Sequence, residues 1–235
     1  MAVIDSLSLV IVSLSQMGEI QMEVLDYANL QKEEKKKQVI LVAAQLFLEK
    51  SISDITMTEV ANECEIGVAS LYRYFSNKKK LVIEIGTYLW QDFEPLLVDK
   101  LEVEAFKSKN GYEQLEIMGN IYISLYLEHS NFINFIYQFD AFVVAENITK
   151  EELEKYEQSI VTFYKYFENA IKKGQKEQVI RDNIDIEMFY LTATHSLMLL
   201  SQKLSQSSVL NSNDTSKNIR EIRLLVQALL LYAKA

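Results

Sequence analysis

The feature that most constrains this chain is its shortage of turn-forming residues, because 235 residues contain one proline and six glycines. A β-sheet needs a turn at every hairpin, and Gly and Pro supply many of the backbone angles of those turns. The composition therefore predicts long helices joined by few connections. Apolar residues make up 49% of the chain and charged residues 24%, which is ordinary for a globular protein that buries a core without disulfides or metals. We predict an all-α fold.

The net charge of −9 disfavours a protein that coats phosphate backbones or anionic membranes. The charge is unevenly distributed, since residues 32–80 carry nine basic and seven acidic residues, whereas residues 1–31 and 81–235 are net acidic. The one net-positive segment is the candidate for contact with nucleic acid. A single cysteine, Cys64, cannot form an intramolecular disulfide, and no Cys/His cluster has zinc-ligand spacing. We therefore expect a cytoplasmic protein with no metal, no cofactor and no membrane span, in which Cys64 is a small core residue.

Residues 1–31 are predicted to be an N-terminal extension, and two interpretations of it stay open. Apolar residues recur at helical spacing over 3–17, which indicates an amphipathic helix that needs a partner surface. The Ser-Leu-Ser-Leu run at 6–9 suits a short strand equally well. Met17 and Met22 could each start a shorter chain, which would make the extension optional. The segment lacks the basic residues of a signal peptide.

Residues 32–80 predict three helices in close succession. Apolar residues at i, i+3, i+4 and i+7 predict a first helix over about 32–50. Thr56, with Glu59 three residues later, predicts a capping box that begins a second helix. A tight turn containing Gly67 separates this helix from a third. Short helices joined in this way outline a helix-turn-helix.

The third helix, over about 68–74, carries the side chains that would face DNA. Its apolar spacing predicts that Leu71 and Phe75 are buried. Ser70 and Tyr74 are hydroxyl donors suited to phosphate oxygens, and Lys78 begins the next helix, where its ammonium and free backbone N–H groups could clamp a phosphate. The residues left for the DNA side of the third helix are Val68, Ala69, Ser70, Tyr72 and Arg73.

Base recognition by this helix is expected to be limited. Val68 and Ala69 offer only apolar contacts, for instance to thymine methyl groups, and Arg73 could contact either a guanine or a phosphate. We therefore predict an operator with A·T-rich half-sites and few hydrogen-bonded bases.

The order and spacing of these residues resemble the TetR family of bacterial transcriptional regulators. The matching stretch runs from Ile55 to Leu81 and reads ITMTEVANECEIGVASLYRYFSNKKKL. It has a capping Thr before a Val-Ala pair, a tight turn, and a Ser-Leu-Tyr-x-Tyr-Phe block followed by Lys and Leu, and the resemblance covers roughly 32–90. Glu65 stands where the turn usually has Gly, and Gly67 stands where a capping Ser or Thr is common. We therefore expect strain in the turn and a weaker cap on the third helix.

The resemblance implies further contacts and partners. Thr56 would cap the second helix beside the DNA backbone, Thr58 would reach a base, Gly67 would lie on the same surface, and Lys35–Lys37 would contact flanking phosphates. The resemblance also implies a homodimer that places two recognition helices in successive major grooves of a double-stranded DNA operator. The larger C-terminal domain would bind a small-molecule effector.

Residues 81–235 predict a helical ligand-binding and dimerisation domain. The long helix that begins at Lys78 is expected to end at the only proline, Pro95. The helix over 112–128 is apolar nearly all round and should be central. The resemblance implies that it lines an effector pocket and that the last two helices pair with their mates in a dimer. The remaining helices are expected at about 131–145, 150–174, 185–205 and 217–234, with Lys172-Lys173-Gly174 and residues 211–214 among the separating segments.

One carboxylate falls within an apolar stripe of the helix over 131–145. At 100° per residue Asp140 lies between Ile133 and Ile136, where a charge is costly unless it is paired or neutralised. We hypothesise that Asp140 receives a cationic or hydrogen-bonding group of a mostly aromatic ligand. The alternative is an internal partner, namely a Lys, an Arg, a Tyr or a helix end. The candidate ligand-binding residues are Glu116, Tyr122, Tyr126 and Asp140.

These observations predict a ligand-responsive transcriptional regulator, most simply a repressor that a small hydrophobic or aromatic molecule releases from its operator. The alternative is a DNA-binding adaptor whose C-terminal domain binds a protein, and the presence of an aromatic cavity would discriminate between the two. His195 is interpreted as an interface histidine, with a ligand contact as the alternative. An enzyme is disfavoured because the sequence has no metal cluster, Gly-rich phosphate loop or nucleophile–base pair.

Overall fold

A computed structural model describes residues 29–160, 163–206 and 214–235, so the predictions for residues 1–28 and 211–213 lie outside the described residues. Within these ranges the chain is predominantly helical and forms no strand, which confirms the predicted all-α class. None of the helices in this described part is long and apolar enough to cross a membrane. The helices are α1 (29–49), α2 (Met57–Glu63), α3 (Val68–Phe75), α4 (Lys78–Glu102), α5 (Glu104–Lys107), α6 (Gly111–Glu128), α7 (Ser130–Ala145), α8 (Lys150–Ser159), α9 (Tyr164–Lys176), α10 (Ile186–Ser205) and α11 (Thr215–Ala233).

Helices α1, α2 and α3 contribute to one apolar core. The hydroxyl of Thr56 accepts a hydrogen bond from the N–H of Glu59 at 3.1 Å and begins α2, as predicted. Leu71 and Phe75 of α3 are fully buried, as their spacing predicted. Cys64 packs against the same core, and burial raises the pKa of its thiol to about 11. The cysteine is therefore held as a neutral packing residue.

The turn between α2 and α3 has the strain that its sequence predicted. Glu65 adopts φ 52°, in the left-handed region that favours glycine. Gly67 begins α3 with φ −66° and provides no side-chain hydrogen bond to the first turn. Helix α3 therefore starts without a side-chain cap, in agreement with the residue types.

Helix α4 begins as predicted but does not end where the sequence indicated. The side-chain oxygen of Asn77 accepts a hydrogen bond from the N–H of Lys80 at 2.9 Å and caps the helix, which continues through Pro95 to Glu102. Proline removes one helical N–H and leaves the carbonyl four residues earlier without its partner. That carbonyl belongs to Gln91, and both Gln91 and Pro95 are exposed, so water can hydrate the carbonyl. The predicted end at Pro95 is therefore wrong.

Helix α6 lies at the centre of the C-terminal bundle, as its nearly continuous apolar surface predicted. It packs against α9, α10 and α11. Its start approaches the end of α9 so closely that a β-carbon on Gly111 would lie 2.2 Å from the backbone oxygen of Ala170 and 2.2 Å from the backbone nitrogen of Gly174. Only glycine at position 111 allows this contact between two backbones.

Two predicted boundaries in this half of the chain are wrong. The helix expected over 150–174 is interrupted after Ser159, so α8 and α9 are separate helices. Lys172–Gly174 lies inside α9 because Gly174 packs against Ile180, where a β-carbon would meet the Ile180 side chain at 2.5 Å. The glycine therefore serves helix packing and does not end the helix. The short helix α5 had no counterpart in the sequence analysis.

Candidate DNA-binding surface and ligand cavity

The outer face of α3 carries the side chains predicted to contact DNA. Tyr72 leaves 47% of its surface exposed. A guanidinium nitrogen of Arg73 donates to the hydroxyl of Ser70 at 3.4 Å, and the guanidinium carbon lies 5.7 Å from the centre of the Tyr74 ring. Arg73 thus lies along the helix beside two of the hydroxyl groups expected to meet phosphate. The exposed or half-exposed residues of this face are Val68, Ala69, Ser70, Tyr72, Arg73 and Tyr74.

Three further predicted contacts lie at the starts of α2 and α3. Thr56 and Thr58 are exposed at the beginning of α2, and Gly67 is exposed at the beginning of α3. The two helices are in contact with each other. All three residues are therefore accessible on the helix-turn-helix unit.

Lys78 begins α4 as predicted, and its ammonium is engaged by the protein itself. Its ammonium donates to the backbone oxygen of Ile52 at 2.5 Å and to that of Ser53 at 3.4 Å. Burial lowers the pKa of Lys78, while the charges of Glu146 and Asp54 raise it less. The side chain therefore fixes the loop between α1 and α2, and a contact to phosphate remains a prediction for this residue.

The three lysines of α1 are not equivalent. Lys36 forms an ion pair with Glu84 of α4 at 2.6 Å and lies 5.5 Å from the centre of the Phe75 ring. It therefore links α1 to α4. Lys35 and Lys37 are exposed and remain the candidates for flanking phosphates.

Two contacts join the helix-turn-helix unit and the start of α4 to α7, and sequence analysis did not find them. The side-chain oxygen of Gln138 accepts a hydrogen bond from the N–H of Ile52 at 2.7 Å. The ammonium of Lys79 donates to the backbone oxygen of Glu146 at 2.6 Å and lies 3.3 Å from the Glu146 carboxylate. The sequence indicated that Gln138 lies on the polar side of its helix, but it gave no partner. Helix α7 is thus tied to the loop between α1 and α2 as well as to α4.

A cavity of about 610 Å³ lies among α4 and helices α6 to α11. Its wall is mostly aromatic and aliphatic, and it includes Trp90, the only tryptophan of the chain. Asp140 is the single carboxylate among the described residues of this wall, which include no Lys or Arg. The predicted residues Asp140 and Tyr122 both line the cavity, and so does His195.

Asp140 has a neutral internal partner. The side chain of Gln202, which is buried on α10, hydrogen-bonds its carboxylate. Burial raises the pKa of Asp140 above its ordinary value, and the hydrogen bond from Gln202 opposes that effect. Asp140 still keeps an accessible side chain. The internal partner that the described residues provide is therefore an amide, which does not neutralise an ionised carboxylate.

An aromatic group lies close to Asp140. The indole N–H of Trp90 donates to the hydroxyl oxygen of Tyr156 at 3.1 Å, and the Tyr156 ring stacks on Phe139 with the ring centres 4.3 Å apart. Burial raises the pKa of Tyr156, and the negative charge of Asp140 adds to that effect. Burial likewise raises the pKa of Tyr122. Trp90, Tyr156 and Gln202 could not be identified from the sequence, because residues so distant in sequence meet only in the folded bundle.

The other two candidate ligand residues lie outside the cavity. Glu116 is exposed and lines a polar groove between α6 and α11. The hydroxyl of Tyr126 accepts a hydrogen bond from the side-chain amide of Asn218 at 2.8 Å, in a buried contact between α6 and α11. The structure therefore does not bring Glu116 and Tyr126 together with Asp140.

The last two helices expose an unusual amount of apolar surface. On α10, Met188 and Leu199 keep 59% and 64% of their surface exposed, and on α11, Leu224 and Leu231 keep 66% and 72%. Exposed apolar residues that are grouped on adjacent helices are typical of an interface. This surface coincides with the two helices that the resemblance assigns to dimerisation.

Known proteins resemble this chain in the sequence of the helix-turn-helix segment and in fold. Residues 39–85 match the bacterial regulatory proteins of the tetR family. In Bacillus subtilis (strain 168), the uncharacterised HTH-type transcriptional regulator YerO is 24% identical over 175 residues, which are 70% of this chain and 55% of YerO. The uncharacterised HTH-type transcriptional regulator YuxN of the same strain is 28% identical over 102 residues, 43% of this chain and 33% of YuxN. The chain thus spans about half of one relative and a third of the other.

The crystal structure of AibR in complex with isovaleryl coenzyme A and operator DNA is similar in fold, with a TM-score of 0.54 and 14% identity. The superposition covers 83% of this chain and 96% of AibR. The segment that matches the family begins within α1 and ends within α4, so it contains the whole helix-turn-helix described above. The helix-turn-helix segment of this chain therefore matches the tetR family of bacterial regulatory proteins, which agrees with the resemblance seen in the sequence.

Proposed function

We propose that this chain is a cytoplasmic, homodimeric repressor that binds a double-stranded DNA operator and is released from it by a small hydrophobic or aromatic molecule in the cavity. The observation that supports this most is the presence in one chain of an exposed α3 and an apolar cavity, joined by contacts through α7. AibR, which shares the fold, was solved with both a ligand and operator DNA.

The DNA contacts are assigned to α3 and to the starts of its neighbours. Tyr72 and Arg73 would contact bases or phosphates in the major groove, and Ser70 and Tyr74 would donate to phosphates. Val68 and Ala69 would give apolar contacts to A·T-rich half-sites, and Thr56, Thr58 and Gly67 would complete the surface. In a dimer, two such helices would lie about 34–36 Å apart, one turn of the double helix.

Dimerisation is assigned to the exposed apolar face of α10 and α11. Burial of side chains such as Leu199 and Leu231 against a second copy would remove their apolar surface from water, and each fully buried large side chain contributes about 1.5–3 kcal/mol. His195 is exposed on α10 and also lines the cavity, so it would lie where the interface and the ligand site meet.

Release from DNA would follow from a change in the position of α7. Asp140 of α7 faces the cavity, and Gln138 of the same helix is bonded to the loop between α1 and α2. A ligand that prefers a shifted α7 would move this loop and the start of α4, which alters the spacing of the two recognition helices. Because such a ligand binds the conformation with weak DNA affinity more tightly than the other conformation, it raises the population of the weakly binding conformation.

The test is selection of DNA by the purified chain from a random pool, followed by affinity measurements on the enriched duplex. Arg73→Ala is expected to weaken binding by about 1–3 kcal/mol if Arg73 makes a bidentate base contact. Lys155→Ala, which removes an exposed positive charge on α8, is the matched control and should leave the affinity within about twofold. Enrichment of no sequence would contradict the proposal. DNA binding that no small apolar molecule alters would favour a protein-binding adaptor.

A further inference from the structure

We infer that the cavity selects lipophilic cations, with Asp140 as the residue that receives the positive charge. The inference rests on the proposed function, because it names the ligand class of the same cavity. It is supported by three independent features of the wall: its charge, the partner of Asp140 and the arrangement of the aromatic rings.

The first feature is the sign of the charge. Among the described residues that line the cavity, Asp140 is the one carboxylate, His195 is the one imidazole, and there is no lysine or arginine. A ligand that placed a carboxylate or a phosphate in this space would bring two negative charges together in an apolar environment, where charges interact more strongly than in water. A neutral ligand would leave an ionised Asp140 carboxylate without a counter-charge from the described lysines and arginines of the wall. A cation supplies that counter-charge.

The second feature is the hydrogen-bonding state of Asp140. An ionised carboxylate has room for about four hydrogen bonds. Gln202 is the partner that the structure gives it, and as an amide it does not neutralise the charge. The accessible remainder of the carboxylate faces a cavity large enough for a drug-sized molecule. The site can therefore accept a cationic group without breaking an existing ion pair.

The third feature is the set of aromatic rings in the same cavity wall, which includes Trp90 and Tyr156. Tyr156 is fixed between Phe139, on which it stacks, and the indole N–H of Trp90. The Trp90 and Phe132 rings meet edge to face with their centres 5.1 Å apart. Fixed aromatic rings attract cations through their negative faces, and the interaction is strongest when the cation is desolvated. A delocalised cation with apolar substituents would place its charge near Asp140 and its substituents against the aromatic wall.

The experiment uses two probes of nearly equal size and opposite charge, tetraphenylphosphonium and tetraphenylborate. Trp90 is the only tryptophan and lines the cavity, so its fluorescence reports occupancy of this site in the full chain. The wild-type chain should bind tetraphenylphosphonium at least about tenfold more tightly than tetraphenylborate, a margin that one close charge contact in an apolar site would produce. Equal binding, or tighter binding of the borate, would overturn the inference without any mutation.

Two matched variants locate the charge that causes the selectivity. Asp140→Asn keeps the shape of the side chain and should abolish most of the tenfold preference. Glu116→Gln removes a carboxylate on α6 that lies outside the cavity, and it should keep the preference. If Asp140→Asn retained the wild-type preference, or if Glu116→Gln lost it, the assignment to Asp140 would be wrong.

A separate measurement distinguishes this inference from the proposed function. The selected DNA duplex is titrated with and without saturating tetraphenylphosphonium. Charge-selective binding at Trp90 together with unchanged DNA affinity would support the cation site and contradict release by a cavity ligand. DNA release by uncharged apolar molecules only, without charge-selective binding at Trp90, would support the proposed function and overturn the cation site.

Discussion

Replacement of Gln138 by alanine tests whether α7 is mechanically connected to the helix-turn-helix unit. The side-chain oxygen of Gln138 accepts the N–H of Ile52 at 2.7 Å, and Ile52 itself is only 2% exposed. Truncation to alanine removes this acceptor. The same loop retains its second anchor, because the Lys78 ammonium binds the backbone oxygen of Ile52. The loop should therefore stay in place but lose one of its two restraints.

The size of the effect follows from the geometry. A hydrogen bond contributes about 0.5–1.5 kcal/mol net to stability, and a buried donor left without a partner costs about 1–3 kcal/mol. Gln138 is half-buried, so water can partly replace its oxygen. We expect a loss of about 1 kcal/mol in the free energy of unfolding, which corresponds to about a fivefold change in an equilibrium constant.

The assay combines urea unfolding with amide hydrogen exchange followed by NMR. Gln138→Ala should lower the unfolding free energy by about 1 kcal/mol, and it should speed exchange of the Ile52 amide by about fivefold. Asn131→Ala, an exposed substitution near the start of the same helix, is the control and should change neither quantity. Unchanged exchange at Ile52 in Gln138→Ala would refute the connection through this hydrogen bond.

Three further predictions concern single residues outside the cavity. Glu65→Gly should raise the free energy of unfolding in urea by about 1 kcal/mol, because glycine adopts φ 52° without the steric cost of a side chain. A lower free energy of unfolding would contradict the strain assigned to this turn. Gly111→Ala should destabilise the chain by at least about 1–3 kcal/mol, since the added carbon meets the backbone of α9, whereas Gly67→Ala meets nothing within 4 Å and serves as its control. Burial raises the thiol pKa of Cys64 to about 11, so Cys64 should react with a disulfide reagent at pH 8 at least about a hundredfold more slowly than the same thiol in the unfolded chain. Because only the thiolate reacts, the native rate should rise as the pH approaches 11. A native rate equal to that of the unfolded chain would contradict the burial of this thiol.

The parts of the fold that sequence predicted are those determined by local pattern. Thr56 and Asn77 cap the helices that their positions indicated, and Leu71 and Phe75 are buried as their spacing required. The unusual turn residue Glu65 has the positive φ that its departure from glycine implied.

The boundaries that sequence missed depend on surroundings that a local pattern does not contain. Pro95 lies inside a helix because it and Gln91 face solvent, and Gly174 lies inside α9 because Ile180 fills the space beside it. The break between α8 and α9 follows Ser159, and the residue types around it include neither glycine nor proline.

Two of the residues named from the sequence, Asp140 and Tyr122, line the cavity, and two do not. Helical periodicity placed Asp140 within an apolar stripe, and in the fold its accessible side chain lines the cavity. Periodicity within single helices could not tell that Glu116 faces a surface groove, or that Tyr126 is engaged by Asn218. Gln202 and Trp90 reach the site from other helices, so only the packing of the bundle reveals them.

In the proposed function, α3 of a dimer binds a defined DNA sequence, and occupancy of the cavity controls this binding. The most direct measurement is a footprint of the full chain on the duplex that it selects, in the absence and presence of tetraphenylphosphonium. We expect two protected half-sites, with centres about 34–36 Å apart, whose protection is lost when the probe is present. A single protected site, or two half-sites whose protection persists at saturating probe, would contradict the proposed function.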